Sequence, residues 1–161
     1  WDIGTPTPSY DDAGNEVQTG SQNTLNGSDC AFTGNASSSM ASIGENDVDG
    51  GHTTLFSPFY NLSGYTNPAF SYYRWYSNNT GAEPNSDWWQ VLITDDLVNW
   101  HYVENNRSSD RNWRKFSFRV QDYVNLTNTI QLKFIASDST NGALSGGSLV
   151  EAALDDLYLY E

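Results

Sequence analysis

Short apolar runs, each broken by a cluster of glycine, asparagine, aspartate or serine, constrain the fold of this chain more than any other feature. Within the runs, apolar and polar residues alternate, and no stretch shows the periodicity of a long amphipathic helix. The pattern predicts strands near residues 31–36, 53–58, 69–77, 88–94, 100–104, 113–120, 129–136 and 149–160. About eight strands without an obvious repeat predict an all-β fold, a two-sheet antiparallel β-sandwich of the jelly-roll type.

The length and the ends of the chain indicate a single module. A chain of 161 residues is long enough to bury one core, and its 10 Tyr and 6 Trp supply large side chains to fill it. It begins with Trp1 and has neither a membrane-spanning apolar run nor a signal-peptide pattern. We therefore expect residues 1–161 to be one β-sandwich module, monomeric and excised from a larger protein whose neighbouring domains it contacts. Scarce Lys and abundant Asn, Ser, Thr, Gly and Tyr are typical of secreted or cell-surface bacterial modules.

The charge and the reactive residues restrict the possible functions. Twenty acidic residues against seven basic ones give a net charge of -13, which argues against a nucleic-acid or membrane surface and leaves cations and neutral glycans as partners. His52 and His101 are the only histidines, and the motifs of zinc hydrolases, serine hydrolases and phosphate-binding loops are absent. The single cysteine, Cys30, has a small apolar setting that predicts a structural strand residue.

The stretch GENDVDGGHTTLFSP, residues 44–58, places several acids immediately before a predicted strand. Asp47 and Asp49, interleaved with Asn and Gly, are the hard oxygen donors that Ca2+ takes in sites of six to eight ligands. A polar turn is the alternative. A catalytic pair of acids is a third interpretation, but the two glycines indicate a loop, and glycoside hydrolysis needs two carboxylates held at a fixed separation.

The C-terminal stretch VEAALDDLYLY, residues 150–160, places Asp155 and Asp156 in an otherwise apolar strand. Buried carboxylates must be paired or bound to a metal. If this strand lies beside residues 44–58, Asp155 would complete a calcium site with Asp47 and Asp49. The ion would then tie the long N-terminal segment to the last strand, which is a stabilising role.

Strand alternation predicts which side chains leave the core. In the strand at 69–77, Tyr73 and Trp75 lie on one side. Arg74 lies on the other side and points inward, where a buried acid such as Glu151 or Asp138 should pair with it.

These alternations predict an aromatic binding face. Trp88 and Gln90 point away from the core in the strand at 88–94, and we expect them to share one exposed sheet surface with Tyr73 and Trp75. Sugar rings stack on such aromatic platforms while amides bind hydroxyl groups. Core packing or contact with a neighbouring domain is the alternative for each ring. The candidate carbohydrate-binding residues are Tyr73, Trp75, Trp88 and Gln90, with Asn78 and Asn79 from the bordering loop.

Five segments together resemble a MAM-like jelly-roll module: TGNA at 33–36, GENDVDGGHTTLFSP, YYRWYSNNTG at 72–81, SDRNW at 109–113 and VEAALDDLYLY. The similarity spans nearly the whole chain. Such modules recur in the C-terminal regions of secreted bacterial multidomain proteins, including zinc carboxypeptidases and other hydrolases. The resemblance implies a two-sheet sandwich with a structural calcium ligated by Asp47, Asp49 and Asp155, and it implies no catalytic activity.

The sequence as a whole predicts a non-catalytic accessory module, stabilised by Ca2+, that binds a polysaccharide or other glycan and so targets a linked secreted enzyme. Two alternatives remain open. The first is a structural or protein-interaction module whose aromatic surface contacts a sister domain, and the second is a small glycan-active enzyme.

Overall fold

Nine strands and one short 3-10 helix make up the computed structural model, which describes residues 1–138 and 147–161. The strands are β1 (Asp2–Gly4), β2 (Cys30–Phe32), β3 (Gly51–Phe56), β4 (Ala69–Ser77), β5 (Trp88–Thr94), β6 (His101–Asn106), β7 (Arg114–Arg119), β8 (Gln131–Asp138) and β9 (Glu151–Tyr160). The 3-10 helix, Val120–Asp122, follows β7. Eight strands match the predicted runs, and β1 was missed because a three-residue strand is too short to show alternation.

The strands form two antiparallel sheets with the order of a jelly roll. The five-stranded sheet has the order β1-β2-β9-β4-β7, and the four-stranded sheet has the order β3-β8-β5-β6. Apart from the β1–β2 pair and the β5–β6 hairpin, each strand is followed in sequence by a strand of the opposite sheet. This connectivity confirms the predicted all-β, two-sheet antiparallel sandwich of jelly-roll type.

The core lies between the two sheets and is rich in aromatic rings. On β5, Trp89, Val91 and Ile93 are fully buried, as their alternation predicts. Tyr72 of β4 meets Phe134 of β8 edge to face, with ring centroids 5.2 Å apart, an arrangement that aromatic quadrupoles favour. The side chains on the outward faces of the same strands are therefore free for other contacts.

Arg74 points into this core, as predicted, but its partners are neither Glu151 nor Asp138. Its Nε donates to Oε2 of Glu104 on β6 at 3.0 Å, and its Nη1 donates to Oδ2 of Asp110 at 2.7 Å. Trp89 Nε1 and the Tyr72 hydroxyl donate to the other oxygen of Glu104. The buried guanidinium and carboxylate thus compensate each other across the sandwich.

The segment between β1 and β2 covers part of the outer face of the five-stranded sheet. The indole N–H of Trp75 donates to the Val17 carbonyl at 2.8 Å, and that of Trp113 donates to the Ser21 carbonyl at 3.0 Å. Cys30 is buried at the start of β2, and burial raises the pKa of its thiol to about 12, which fits the predicted structural role. No helix among the described residues is long and apolar enough to cross a membrane.

Candidate functional site

The residues predicted to bind carbohydrate do not share one surface. Tyr73 and Trp75 belong to β4 of the five-stranded sheet, whereas Trp88 and Gln90 belong to β5 of the four-stranded sheet. The outer faces of the two sheets point in opposite directions, so the predicted common face is wrong. Strand alternation gives the side on which a residue lies but not the sheet to which its strand belongs.

Trp75 is not an exposed platform. Its side chain is 5% exposed, and it packs edge to face against Trp113 with centroids 6.4 Å apart. The segment that carries Val17 covers it, so the packing interpretation is correct for this ring. Tyr73 is partly exposed on the same sheet, where the Lys115 ammonium lies 6.0 Å from its ring centroid.

Asn78 and Asn79 have structural contacts that the sequence does not reveal. Asn78 is fully buried, and its amide donates to the Asp87 carbonyl at 2.8 Å and to the Tyr76 hydroxyl at 3.1 Å. Asn79 is exposed, but its Oδ1 accepts from Arg111 Nε at 2.7 Å. Neither residue lies in a strand of the four-stranded sheet.

The outer face of the four-stranded sheet gathers exposed aromatic, amide and cationic side chains, and we call it the aromatic face. It continues from Trp88 and Gln90 towards β3 on one side and β6 on the other. Its members are Phe56, Trp88, Gln90, Trp100, Tyr102, Asn105, Arg107 and Lys133.

Two cations lie on the indole rings of this face. The Arg107 guanidinium carbon is 4.2 Å from the ring centroid of Trp88, and the Lys133 ammonium is 4.2 Å from that of Trp100. Both distances are typical of cation–π contacts. Phe56 meets Trp100 edge to face at 6.1 Å, so the ring pair and its cation form one cluster.

Polar groups lie between the two indoles. Gln90 Nε2 donates to Asn105 Oδ1 at 3.0 Å and contacts the Tyr102 hydroxyl at 3.4 Å. The Tyr102 and Phe56 side chains are 53% and 54% exposed. A pocket of about 310 Å3 opens beside Trp88 and Gln90. The face therefore offers ring surfaces and amide groups to a ligand at the same time.

Tyr102 was missed at the sequence level because of an irregularity in the β5–β6 pair. In a regular strand Tyr102 and Glu104 would point the same way. The register shifts between Val91 and Leu92, so Tyr102 pairs with the outward Leu92 and Glu104 pairs with the inward Val91. A β-bulge of this kind re-aims side chains locally, and the sequence carries no clear signal for it.

A second candidate region is a group of carboxylates at one end of the sandwich, which we call the acidic end. Asp138 closes β8 opposite Gly51, and Asp87 precedes β5 at the same level. The turn before β3 brings acids to the same end, and β9 begins there. The members are Asp47, Asp49, Asp87, Asp138 and Glu151.

Mutual repulsion and burial disfavour ionisation at the acidic end. Burial, and then the charge of Asp49, raise the pKa of Asp47 to about 7. Burial and the charges of Asp87 and Asp49 raise the pKa of Asp138, although the Gly50 N–H donates to it at 3.1 Å. Burial raises the pKa of Glu151 well above its ordinary value, and its hydrogen bond from Thr33 opposes that shift.

The carboxylate oxygens at the acidic end are the type of ligand that a hard cation binds. Asp138 is 2% exposed, and its carboxyl group shares a side-chain hydrogen bond with Asp87. No Lys or Arg within residues 1–138 and 147–161 forms an ion pair with Asp47, Asp49, Asp138 or Glu151. Calcium takes such oxygen ligands. In the same residues, however, no three acidic, histidine or cysteine side chains are arranged to hold a metal ion.

The structure does not bring Asp155 to Asp47 and Asp49. Glu151 is the β9 residue that lies near Asp47, and Asp155 is four residues, or about 13 Å, further along the strand. Oδ2 of Asp155 accepts hydrogen bonds from the backbone N–H groups of Asn23 and Thr24 at 2.8 and 3.2 Å. The N-terminal segment is therefore linked to the last strand by hydrogen bonds, whereas the sequence had predicted that an ion makes this link.

Comparisons with known proteins identify no family for this chain. No family model matches it, and no curated protein matches it. Among solved structures, the chain is similar to TmCBM61, a carbohydrate-binding module solved in complex with β-1,4-galactotriose. The two are 11% identical with a TM-score of 0.42, over 84% of this chain and 72% of that one. The assignment to the jelly-roll class rests on the strand order, independently of this similarity.

Proposed function

We propose that this protein is a non-catalytic module that binds carbohydrate on its aromatic face and targets a linked enzyme to its substrate. The observation that carries the proposal is the group of rings on one sheet, of which Phe56 and Tyr102 are exposed and Trp88 and Trp100 are half-buried, together with the hydrogen-bonded amides of Gln90 and Asn105. Large exposed apolar groups that form a continuous surface usually mark a binding site.

The chemistry of the face suits a sugar chain. A pyranose presents apolar C–H groups on its faces and hydroxyl groups around its rim, so it needs flat rings and amides together. Tyr102 supplies an exposed ring, Trp88 supplies a half-buried indole that the Arg107 guanidinium partly covers, and Gln90 and Asn105 supply amides. Trp and Tyr also lose little conformational freedom on binding because they have two side-chain torsions.

The experiment is affinity electrophoresis of the 161-residue chain, with calcium present, through gels that contain soluble polysaccharides, together with pull-down on insoluble ones. We expect Trp88→Ala and Tyr102→Ala each to weaken binding at least about tenfold, as removal of a central aromatic anchor does. Tyr158→Ala is the matched control. Tyr158 is 57% exposed, against 53% for Tyr102, but lies on the opposite sheet.

Binding that Tyr102→Ala abolishes and Tyr158→Ala preserves, in variants with unchanged melting temperatures, would support the proposal. Absence of binding across a broad panel would refute it and would favour the protein-interaction alternative. Hydrolysis of a bound glycan by the wild-type chain would refute the non-catalytic part.

We also propose that Ca2+ stabilises the fold at the acidic end, where Asp47, Asp49 and Asp138 would have to draw together around the ion, in place of the set that includes Asp155. Support comes from the accumulated negative charge of Asp87 and Asp49 around the buried Asp138, which forms no ion pair with a Lys or Arg of the described residues. A bound dication would relieve that charge, and it would favour folding because it binds only the folded chain.

Thermal unfolding with excess Ca2+ or with EDTA tests the calcium proposal. We expect calcium to raise the melting temperature of the wild type and of Asp155→Asn but not of Asp138→Asn. An unchanged melting temperature of the wild type on chelation would refute the proposal. If calcium failed to raise the melting temperature of Asp155→Asn but still raised that of Asp138→Asn, the result would instead support Asp47, Asp49 and Asp155 as the ligands.

The MAM-like relationship, the monomeric state and the secreted bacterial origin remain predictions from the sequence. The targeting role can be exercised only in a parent protein that also carries an enzyme domain.

A further inference from the structure

Charge is distributed unevenly over this acidic protein. The chain carries 20 acidic and 7 basic residues, yet none of the outward-pointing strand residues on the aromatic face is Asp or Glu. Those residues are His52, Thr54, Phe56, Trp88, Gln90, Leu92, Thr94, Tyr102, Asn105, Gln131, Lys133, Ile135 and Ser137. A face without carboxylates is the part of such a surface that can accept an anion.

The cations of this face are also available. Arg107 and Lys133 form no ion pair with any residue in the described part of the chain. By contrast, Arg114 and Arg119, on β7 of the opposite sheet, lie 3.3 and 4.0 Å from carboxylates. A cation over an indole ring still has N–H donors that the ring does not contact, and these can bind an anionic group.

The spacing of the two cations matches an extended ligand. Arg107 lies over Trp88, and Lys133 pairs across the sheet with Leu92, four residues further along β5. Four strand residues span about 13 Å, so the cations mark the two ends of a strip that includes Gln90. A polymer that lies along β5 would meet a cation, an amide and a second cation in order.

We propose that the glycan bound by the aromatic face is an acidic polysaccharide, whose carboxylate or sulfate groups are recognised by Arg107 and Lys133. This inference rests on the proposed function and specifies its substrate class. It replaces the neutral glycan that the net charge alone had favoured, because a local surface, and not the total charge, meets the ligand.

The test compares acidic polysaccharides with neutral partners of similar backbone. Affinity electrophoresis of the wild-type chain would use polygalacturonate against its methyl-esterified form for carboxylates, and carrageenan against agarose for sulfates. We expect retardation by at least one acidic member, weaker retardation by its neutral partner, and a loss of affinity as salt rises from 50 to 500 mM, concentrations chosen at about the scale over which screening becomes strong.

Charge-removing variants complete the test. We expect Arg107→Gln and Lys133→Gln each to weaken binding to the acidic member about tenfold, the effect of one charge-assisted contact. Lys115→Gln is the control, because Lys115 also lies over a tyrosine ring but on the other sheet. It should bind like the wild type.

Equal binding to the neutral partners, unaffected by Arg107→Gln and Lys133→Gln, would overturn the acidic-glycan inference and leave carbohydrate binding intact. Binding to no polysaccharide at all would overturn both. If single-stranded DNA retarded the protein as strongly as the acidic polysaccharide, and Arg107→Gln and Lys133→Gln lost this retardation, the assignment to glycans would be overturned in favour of general polyanion binding.

Discussion

The buried ion pair at the centre of the sandwich gives the sharpest test of how this core is stabilised. Replacing Glu104 with alanine would remove the acceptor for three buried donors, on Tyr72, Arg74 and Trp89. Glu104 itself is 6% exposed, so water cannot easily replace the lost carboxylate. Among the described residues, the guanidinium of Arg74 would keep only Asp110 as a charged partner.

Breaking one partner of a buried ion pair costs about 3 to 5 kcal/mol, because the other charge is left uncompensated. For Glu104→Ala we expect a loss of about 4 kcal/mol, since the remaining Asp110 contact offsets part of the unsatisfied Tyr72 and Trp89 donors. In a chain of 161 residues this corresponds to a fall in melting temperature of about 8 to 16 °C.

The assay is urea unfolding followed by tryptophan fluorescence, because Trp89 lies at the perturbed site. Asp122→Ala is the control: its side chain is 58% exposed and lies 4.0 Å from Arg119, so it should cost less than about 1 kcal/mol. Adding Arg74→Met to Glu104→Ala should cost less than the sum of the two single changes. A loss below about 1 kcal/mol for Glu104→Ala would refute the reasoning.

Two further predictions concern the acidic end and a close backbone contact. Without calcium, the pKa of Asp47 is raised to about 7, so between about pH 4 and 7 this residue binds more protons in the folded than in the unfolded chain, and its contribution to stability falls as the pH rises. In thermal unfolding, Asp47→Asn should therefore flatten the dependence of melting temperature on pH. An unchanged dependence would contradict this prediction. Gly34→Ala would drive the new methyl group into the Asn46 carbonyl and should lower the free energy of unfolding in urea by about 1 to 3 kcal/mol. Gly64→Ala is the control, because its Cβ would have open space, and it should be nearly neutral. Equal effects of the two changes would contradict the close contact at Gly34.

The strands and their inner faces could be predicted from the sequence. Alternation is a local property, and a buried strand face requires apolar residues at every second position. Trp89, Val91 and Ile93 are buried as that rule expects. In the turn between β5 and β6, Asp96 accepts hydrogen bonds from backbone N–H groups two and three residues ahead of it, a contact that aspartate makes readily in turns.

The grouping of the candidate sites could not be predicted from the sequence. Trp75 and Trp88 have the same local pattern, but one lies under the N-terminal segment and the other lies on the open face of the opposite sheet. Which sheet a strand joins depends on contacts between distant residues, and local alternation does not encode them.

The sequence by itself determined that this chain forms an antiparallel sandwich with an aromatic core, because side-chain alternation and burial are set residue by residue. Only the tertiary structure decided that Glu104 turns inward at a bulge to meet Arg74, that Asp138 and Glu151 lie near Asp47 in place of Asp155, and that Arg107 and Lys133 lie on one face whose outward strand residues include no acid. Each of these depends on register and sheet order, which bring together residues far apart in the chain.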